Sequence, residues 1–321
     1  MVDIKAAYPL HNLEGSYSSL CGNYQDEDLD TRYQMVALDL DGTLLQSNKR
    51  ISDSTVEYLR ELDRRGLKLA FATGRSAKST YEHIKRLSLR NPFPVVCSNG
   101  AKGIICYVDS EIPTRDDTVF FNPLTTDVTH RTIELAKKKN YVSMCYYDDK
   151  VYANSSCPEH ITLTNLYKRL SKSEVSFVTD DFASLIKVRG PPNRILVMFL
   201  SPKIEDIEAS FEEELAGNAT IIPGNKGWYL EILNASVTKG NGLRSMCSHL
   251  DIPLENCIAI GDGENDIEFL SMAGFGICMK NGKDVAKKAA DTVSEWTNNE
   301  DGVMLALQQL ERSGMLRLDN I

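Results

Sequence analysis

Short apolar runs alternate with amphipathic stretches over most of the chain. Met35-Val36-Ala37-Leu38 is apolar at every position, the pattern of a strand buried on both faces. Val56, Leu59 and Leu62 then recur at helical spacing. Ser52 or Ser54 can cap that helix, and Gly66 suits its end. Leu67 to Ala72 predicts a second strand, 76–87 a second helix and Pro94 to Cys97 a third strand. Strand, helix, strand, helix, strand predicts parallel pairing with right-handed crossovers.

The texture changes near Val119. A helix at Asp127–Lys139 precedes strand-like runs at 142–147, 151–153, 195–200 and 228–232. A helix at Ile204–Leu215 separates the last two, and breakers cluster at 189–193 and 223–227. The parallel pattern resumes with a helix opened by Lys239-Gly240, a strand at Cys257–Ile260 and a helix carrying Ile267, Leu270 and Met272. A strand at Phe275–Met279 and a final helix at about 301–310 complete it. The expected organisation is a poorly ordered tail (1–34), an α/β core with a doubly wound parallel sheet (35–118 and 236–321) and an inserted α+β domain (119–235).

The strands end in chemistry. In an open parallel sheet, ligands bind outside the carboxyl ends of the strands. The first strand runs into Asp39 and Asp41, two positions apart and on one side if the strand continues. Like charges held that close need a cation or a shared proton between them. Asp-Gly is also a common turn pair, so this stretch alone does not decide. Thr73 follows the second strand, Asn99 the third, Lys239 opens a helix, and Asp262, Asn265 and Asp266 follow Ile260. Carboxylates, a hydroxyl and a cation are the parts phosphoryl transfer requires, because its catalysis is mostly positioning and charge neutralisation. Mg2+ prefers oxygen ligands and keeps several waters, which suits one or two carboxylates. No G-x-G-x-x-G follows the first strand, which argues against a dinucleotide-dependent oxidoreductase.

A net charge of -9 argues against nucleic acid or an anionic membrane as partner. A bound cation can still reverse the field locally for an anionic substrate. The eight cysteines include no C-x-x-C pair and several sit in apolar runs, so they read as reduced, mostly buried thiols of a cytoplasmic protein. No apolar run reaches the length of a membrane span. The amino terminus reads as neither a signal nor a transit peptide.

Taken in order, Asp39-Leu40-Asp41-Gly42-Thr43, Ala72-Thr73-Gly74-Arg75, Val237-Thr238-Lys239-Gly240 and Gly261-Asp262-Gly263-Glu264-Asn265-Asp266 resemble the four motifs of the haloacid dehalogenase (HAD) superfamily of phosphatases. The long insertion between the second and third motifs is similar to that superfamily's type-two cap, and Ser98-Asn99-Gly100-Ala101 to a loop of its Cof-type branch. The resemblance covers about residues 35–310. It departs at Cys278-Met279-Lys280-Asn281-Gly282, which is bulkier and more basic than the usual Ala-Met-Gly-Asn-Ala but keeps Asn281.

The resemblance implies a Rossmann-like core with a mobile cap. It implies Mg2+-dependent hydrolysis of a small phosphorylated metabolite (sugar phosphate, pyridoxal phosphate or FMN type) through an aspartyl-phosphate. Asp39 would be the nucleophile and Asp41 the general acid and base, with its backbone carbonyl on the metal. Thr73 and Lys239 would hold the phosphoryl group. Asp262 would bind the metal directly, with Asp266 and Asn265 acting through water or orienting the others. The metal set is thus Asp39, Asp41, Asp262 and Asp266, and the substrate set Gly42, Thr73, Gly74, Asn99, Lys239 and Asn265. Arg75 reads as a solvated helix-start residue and the five histidines as incidental. Substrate choice is expected from loops 189–193 and 225–228. A sugar phosphomutase and a non-catalytic regulatory protein on the same scaffold are the alternatives; no motif carboxylate is missing, which counts against the second. Monomer and homodimer both stay open.

Overall fold

Residues Met35–Leu38 form β1, buried at every position as their two-sided apolar pattern predicts. The structure is a computed structural model that describes residues 33–89, 92–108, 114–154, 157–171, 174–180, 182–200, 203–224 and 227–319. The expected tail lies, apart from Tyr33 and Gln34, outside the described residues.

After β1 come α1 (Asp53–Arg64), β2 (Lys68–Ala72), α2 (Tyr81–Leu87), β3 (Phe93–Cys97), β4 (Lys102–Tyr107) and β5 (Arg115–Phe121). Ser52 caps α1, its hydroxyl accepting from the Thr55 N–H. The middle of the chain gives α3 (Thr126–Lys138), β6 (Val142–Tyr147), β7 (Lys150–Asn154), α4 (Pro158–Ser171), β8 (Val175–Val178) and α5 (Ala183–Arg189). It continues through β9 (Arg194–Met198), α6 (Ile204–Leu215), β10 (Ala219–Pro223) and β11 (Tyr229–Asn234). Then follow α7 (Lys239–His249), β12 (Cys257–Gly261), α8 (Ile267–Met272), β13 (Phe275–Cys278), α9 (Asp284–Ala289), β14 (Thr292–Val293) and α10 (Gly302–Arg312).

The large sheet has the order β14-β13-β12-β1-β2-β3-β4-β5. It is parallel from β14 to β3, and β4 and β5 add to its edge antiparallel. Those two strands were not anticipated. β5 reads Arg-Asp-Asp-Thr-Val-Phe-Phe and is exposed or half-buried throughout, so it lacks the apolar alternation that marks a strand. It also carries the large sheet to Phe121, past the expected boundary at residue 118.

Alternation along β1 sends Val36 and Leu38 into one apolar layer with α1 and α10, and Met35 and Ala37 into another with α7 and α8. The sheet is therefore covered on both faces, as a doubly wound sheet must be. Each fully buried leucine or phenylalanine in these layers contributes about 1.5–3 kcal/mol. β1 sits between β2 and β12, so the chain winds outward from it in both directions. That is the switch point at which such folds open a crevice.

Residues 142–234 supply a second, six-stranded sheet of order β10-β11-β9-β6-β7-β8, antiparallel except between β7 and β8. Ile195, Val197, Leu230 and Ile232 pack with residues of α3 and α6 on one face. Met144, Tyr146, Leu196 and Met198 cluster on the other with Leu163 of α4. α4, α5, β8 and β10 were not anticipated. β10 is an edge strand ending at Pro223, a position proline tolerates but a pattern search discounts.

Candidate active site

Asp39 extends β1 by one ladder bond, its N–H donating to the Ile260 carbonyl at 2.9 Å. By alternation its side chain falls with Met35 and Ala37, on the face where α7 packs. There it meets Lys239, the first residue of α7, whose helix start is capped by the Thr238 hydroxyl. Lys239 Nζ donates to Asp39 Oδ1 at 2.6 Å and to Asp266 Oδ1 at 2.7 Å. The lysine is 1% exposed and Asp266 fully buried. Asp266 Oδ2 accepts from the backbone N–H groups of Asp262 and Gly263 at 2.9 and 2.8 Å. Asp266 is thus committed to holding Lys239 and the Asp262 loop.

Asp262 Oδ1 accepts from the Thr43 hydroxyl at 2.8 Å. Its carboxylate lies directly against Gly42: a Cβ there would sit 2.3 Å from Asp262 Oδ2, and Gly42 has φ +86°. Only glycine meets both conditions. Asn281 Nδ2 donates to the Gly42 carbonyl at 2.8 Å, so the residue kept in the divergent loop braces this turn. Thr43 stands in the first motif, but its link to Asp262 spans 219 positions and is invisible to local pattern.

Carboxylate oxygens of Asp39, Asp262 and Asp266 lie within 4.8 Å of one another, and together they could hold a metal ion. Burial, and then the neighbouring carboxylates, push Asp39 up to about 8, with Lys239 only partly opposing this. Burial also lifts Asp262 to about 6, although the Thr43 hydrogen bond works the other way. Burial works to lower Lys239, but the Asp266 and Asp39 carboxylates outweigh it and hold the amine charged. One ammonium against three carboxylates leaves an excess of negative charge in a dry site. A hard divalent cation with oxygen ligands fits that excess.

Asp41 departs from the expected geometry. The chain turns after Asp39, with Leu44 and Leu45 N–H bonding back to the carbonyls of residues 39 and 40, so strand alternation stops. The Asp41 side chain therefore lies outside the three-carboxylate cluster. Arg75 grips it bidentately, Nε to Oδ2 at 2.6 Å and Nη2 to Oδ1 at 2.9 Å, and Lys49 Nζ adds a bond to Oδ1 at 2.7 Å. Burial would raise its pKa, but the bonds from Arg75 and Lys49 win and hold the carboxyl well below the usual range. Arg75 is accordingly not a solvated helix-start residue. His83 is not incidental either. Burial, then the Arg75 charge, lowers its pKa, and its Nε2 stands 2.9 Å from Arg75 Nη1, where a neutral ring accepts.

Thr73 is 1% exposed and continues the ladder from β2, donating to the Val96 carbonyl at 2.9 Å. Asn99, in the left-handed region at φ 56°, donates its N–H to the Thr73 carbonyl at 3.0 Å and accepts at Oδ1 from Asn265 Nδ2 at 2.9 Å. A cavity of about 390 Å3 opens beside these residues, between the rim of the large sheet and β10. Asn99, Thr238, Lys239, Asn265, Thr220 and Ile222 help line it. Loop 189–193 bonds instead to its own sheet, through the Gly190 carbonyl to Tyr147 and Asn193 to the Asp148 N–H. Of the second expected loop, Asn225 and Lys226 lie outside the described residues, and Trp228 packs on Tyr167 and Tyr229.

The family model of haloacid dehalogenase-like hydrolases matches residues 36–307. The chain belongs to this family. A phosphatase of Bacillus subtilis, 5-amino-6-(5-phospho-D-ribitylamino)uracil phosphatase YitU, is 26% identical over 298 residues, covering 88% of this chain and 98% of that protein. The chloroplastic endoribonuclease YBEY of Arabidopsis thaliana is 25% identical over 276 residues; the match covers 86% of this chain but 46% of that protein, so the chain spans less than half its length. The crystal structure of a haloacid dehalogenase-like hydrolase from Bacteroides thetaiotaomicron superposes with a TM-score of 0.70 at 25% identity, covering 87% of this chain and 100% of that one. The resemblance read from four short motifs holds, and with it the expected α/β fold and the expectation of a HAD-type hydrolase. Among the described residues, no helix of this HAD-like hydrolase is long and apolar enough to cross a membrane.

Proposed function

We propose that the protein is a Mg2+-dependent phosphomonoester hydrolase that acts on a small phosphorylated metabolite through an aspartyl-phosphate on Asp39. The observation that carries this reading is the grip of buried Lys239 on Asp39 Oδ1, beside two further carboxylates at the switch point of the sheet. A buried carboxylate beside a fixed cation is a nucleophile whose orientation costs no reorganisation during reaction.

In this reading Asp39 Oδ2 attacks phosphorus, and the bond from phosphorus to the ester oxygen breaks. Asp41 gives its proton to the leaving alkoxide, then takes a proton from the water that attacks the aspartyl-phosphate. The bond from phosphorus to Asp39 breaks in that second step, which frees inorganic phosphate. As held by Arg75 and Lys49, Asp41 is an ionised acceptor. Its acid role requires one oxygen to give up its bonds in that clamp and take up a proton as substrate enters, while Arg75 keeps hold of the other. Thr73 and Lys239 donate to the phosphoryl oxygens, and Asn99, Asn265, Gly42 and Gly74 shape the substrate's seat. Asp39, Asp262 and the Asp41 carbonyl would hold Mg2+, with Asp266 orienting the loop. The ion, when bound, supplies positive charge against the phosphoryl oxygens.

Residues 35–121 and 236–321 would act as the catalytic unit and 122–235 as a cap that closes over the cavity and excludes water. A phosphate-release screen over small phosphomonoesters, with Mg2+ and with chelator, tests the whole reading. Expected is release from at least one compound that chelator abolishes and Mg2+ restores. Release indifferent to chelator, or none from any compound, overturns it.

A further inference from the structure

The Arg75 guanidinium spans two groups. Its Nε and Nη2 bond Asp41, and its Nη1 meets His83 Nε2 at 2.9 Å. An arginine has no acceptor, so Nη1 donates, Nε2 accepts, and the neutral ring carries its hydrogen on Nδ1. Arg75, Glu82 and Asp41 are the charged groups that face this ring. Glu82 stands 3.5 Å from Nε2, but its side chain is 76% exposed and water screens it.

His83 sits on α2 and is 4% exposed. The helix beneath it is a fixed support. Ile84 and Leu87 enter the apolar layer shared with α1 and α10. Arg60 of α1 donates to the Leu87 carbonyl at 2.7 Å and to the Arg86 carbonyl at 2.9 Å. Arg86 in turn donates through Nε to the Ile51 carbonyl at 3.2 Å.

In the reaction set out above, one oxygen of Asp41 leaves the clamp while Arg75 keeps the other. The guanidinium then loses one of its two bonds to the carboxylate. A long, flexible side chain held by that carboxylate alone would swing with it. The bond to His83 does not break in this step. It keeps Arg75 tied to α2, so that Asp41 turns about a point that stays still. An acid–base group needs such aim, because a small misplacement of the reacting atoms is costly in rate.

We propose that His83 is a positioning residue for the acid–base step: its ring fixes the Arg75 guanidinium, and the fixed guanidinium aims Asp41 at the leaving oxygen. This rests on the phosphomonoesterase reading. The test compares glycerol 2-phosphate, whose alkoxide needs a proton as it leaves, with p-nitrophenyl phosphate, whose phenolate does not. His83→Leu should lower kcat on glycerol 2-phosphate about fivefold, with KM there and kcat on the phenyl ester each within about twofold of wild type. His83→Gln, whose Oε1 can accept from Nη1, should return kcat to within about twofold. In an Arg75→Leu background, His83→Leu should cost no more than about a further twofold, because its route to Asp41 is already cut. If His83→Leu fails to fold, His83→Asn, too short to reach the guanidinium, carries the same expectations. No loss on glycerol 2-phosphate, an equal loss on both esters, a glutamine variant as poor as the leucine one, or a full fivefold loss without Arg75 overturns the assignment. Chelator-sensitive release from p-nitrophenyl phosphate alone also overturns it, since no acid would then be at work. No chelator-sensitive release from either ester defeats the reading beneath it.

Discussion

The rim of the large sheet and the facing side of the inserted sheet both bury charge, but they are built differently. At the rim, Asp39, Lys239 and Asp266 come from the ends of β1 and β12 and the start of α7, within 2.7 Å contacts that cross 200 and 27 positions. Each residue stands in a short motif because a strand end or a helix start fixes it locally. On the inserted sheet, Arg194 and Glu231 lie inside strands and meet only through the register of β9 on β11. The rim carries three carboxylates for one ammonium, an excess that suits a cation. The facing pair is balanced one to one.

The largest expected effect breaks the rim alone. Asp39→Asn removes the proposed nucleophile and should lower phosphate release by at least about a thousandfold. The fold should survive. Asp39 already resists ionisation because of its burial, and Asp266 still holds Lys239. Circular dichroism and a melting midpoint within a few degrees of wild type would accompany the loss. Substantial turnover in this variant would strip the rim of its chemical role and leave the two regions indistinguishable.

A smaller effect follows from the sign of the rim's titration. Asp39 is pushed up to about 8 and Asp262 to about 6, from an unfolded value near 3.8. The folded, metal-free protein therefore binds more protons than the unfolded chain between about pH 4 and 8, and its stability falls as pH rises through that window. In chelator the melting midpoint should drop by several degrees from pH 5 to pH 8 on this account, a change of about 2 kcal/mol or more. Asp39→Asn, measured in parallel, should flatten the slope and so separates the site from other titrating groups. Mg2+ should raise the wild-type midpoint more at pH 8 than at pH 5, because protonated carboxylates do not bind it. A wild-type slope identical to that of the variant would show that the rim does not carry the excess charge.

Why the rim was legible and the edges of the two sheets were not follows from the same construction. β1, α1, β3 and α6 lie within a residue or so of where apolar spacing places them, since each buries a face whose period the sequence repeats. β5 and β10 escape because edge strands bury little: β5 is charged over its first half, and β10 is a five-residue run closed by Pro223. Asp41 was placed on the wrong side because strand alternation was carried past the residue at which the chain turns. The partners of Arg75 and Thr43 lie 34 and 219 positions away, a distance no periodicity spans, and His83 meets Arg75 across the loop that precedes its helix. Arg194 sits one residue beyond a loop expected to choose substrate; the loop folds onto its own sheet while its neighbour reaches the Gly74 carbonyl of the large domain.

The smallest effect sharpens the comparison inside the rim itself, between its dry centre and its half-exposed edge. Asp41 is 41% exposed and held by Arg75 and Lys49, whereas Asp39 is nearly sealed. If Asp41 is the general acid, Arg75 is a positioning residue that parks it ionised until substrate arrives. Arg75→Leu removes the stronger of its two holds, so its carboxyl should protonate more readily but lie less well aimed. Misaim costs about tenfold in kcat. The loss should depend on the leaving group: large for an alkyl phosphate, whose alkoxide needs the proton, and within about threefold for p-nitrophenyl phosphate, whose phenolate leaves without it. The alkaline limb of the kcat profile should also move up, since Asp41 would then keep its proton to higher pH. Arg75→Lys, which keeps the charge but not the bidentate fork, should fall between the two. An equal loss on both esters with an unmoved pH profile would mean that Arg75 merely braces the loop, and that the rim's edge has no chemistry of its own.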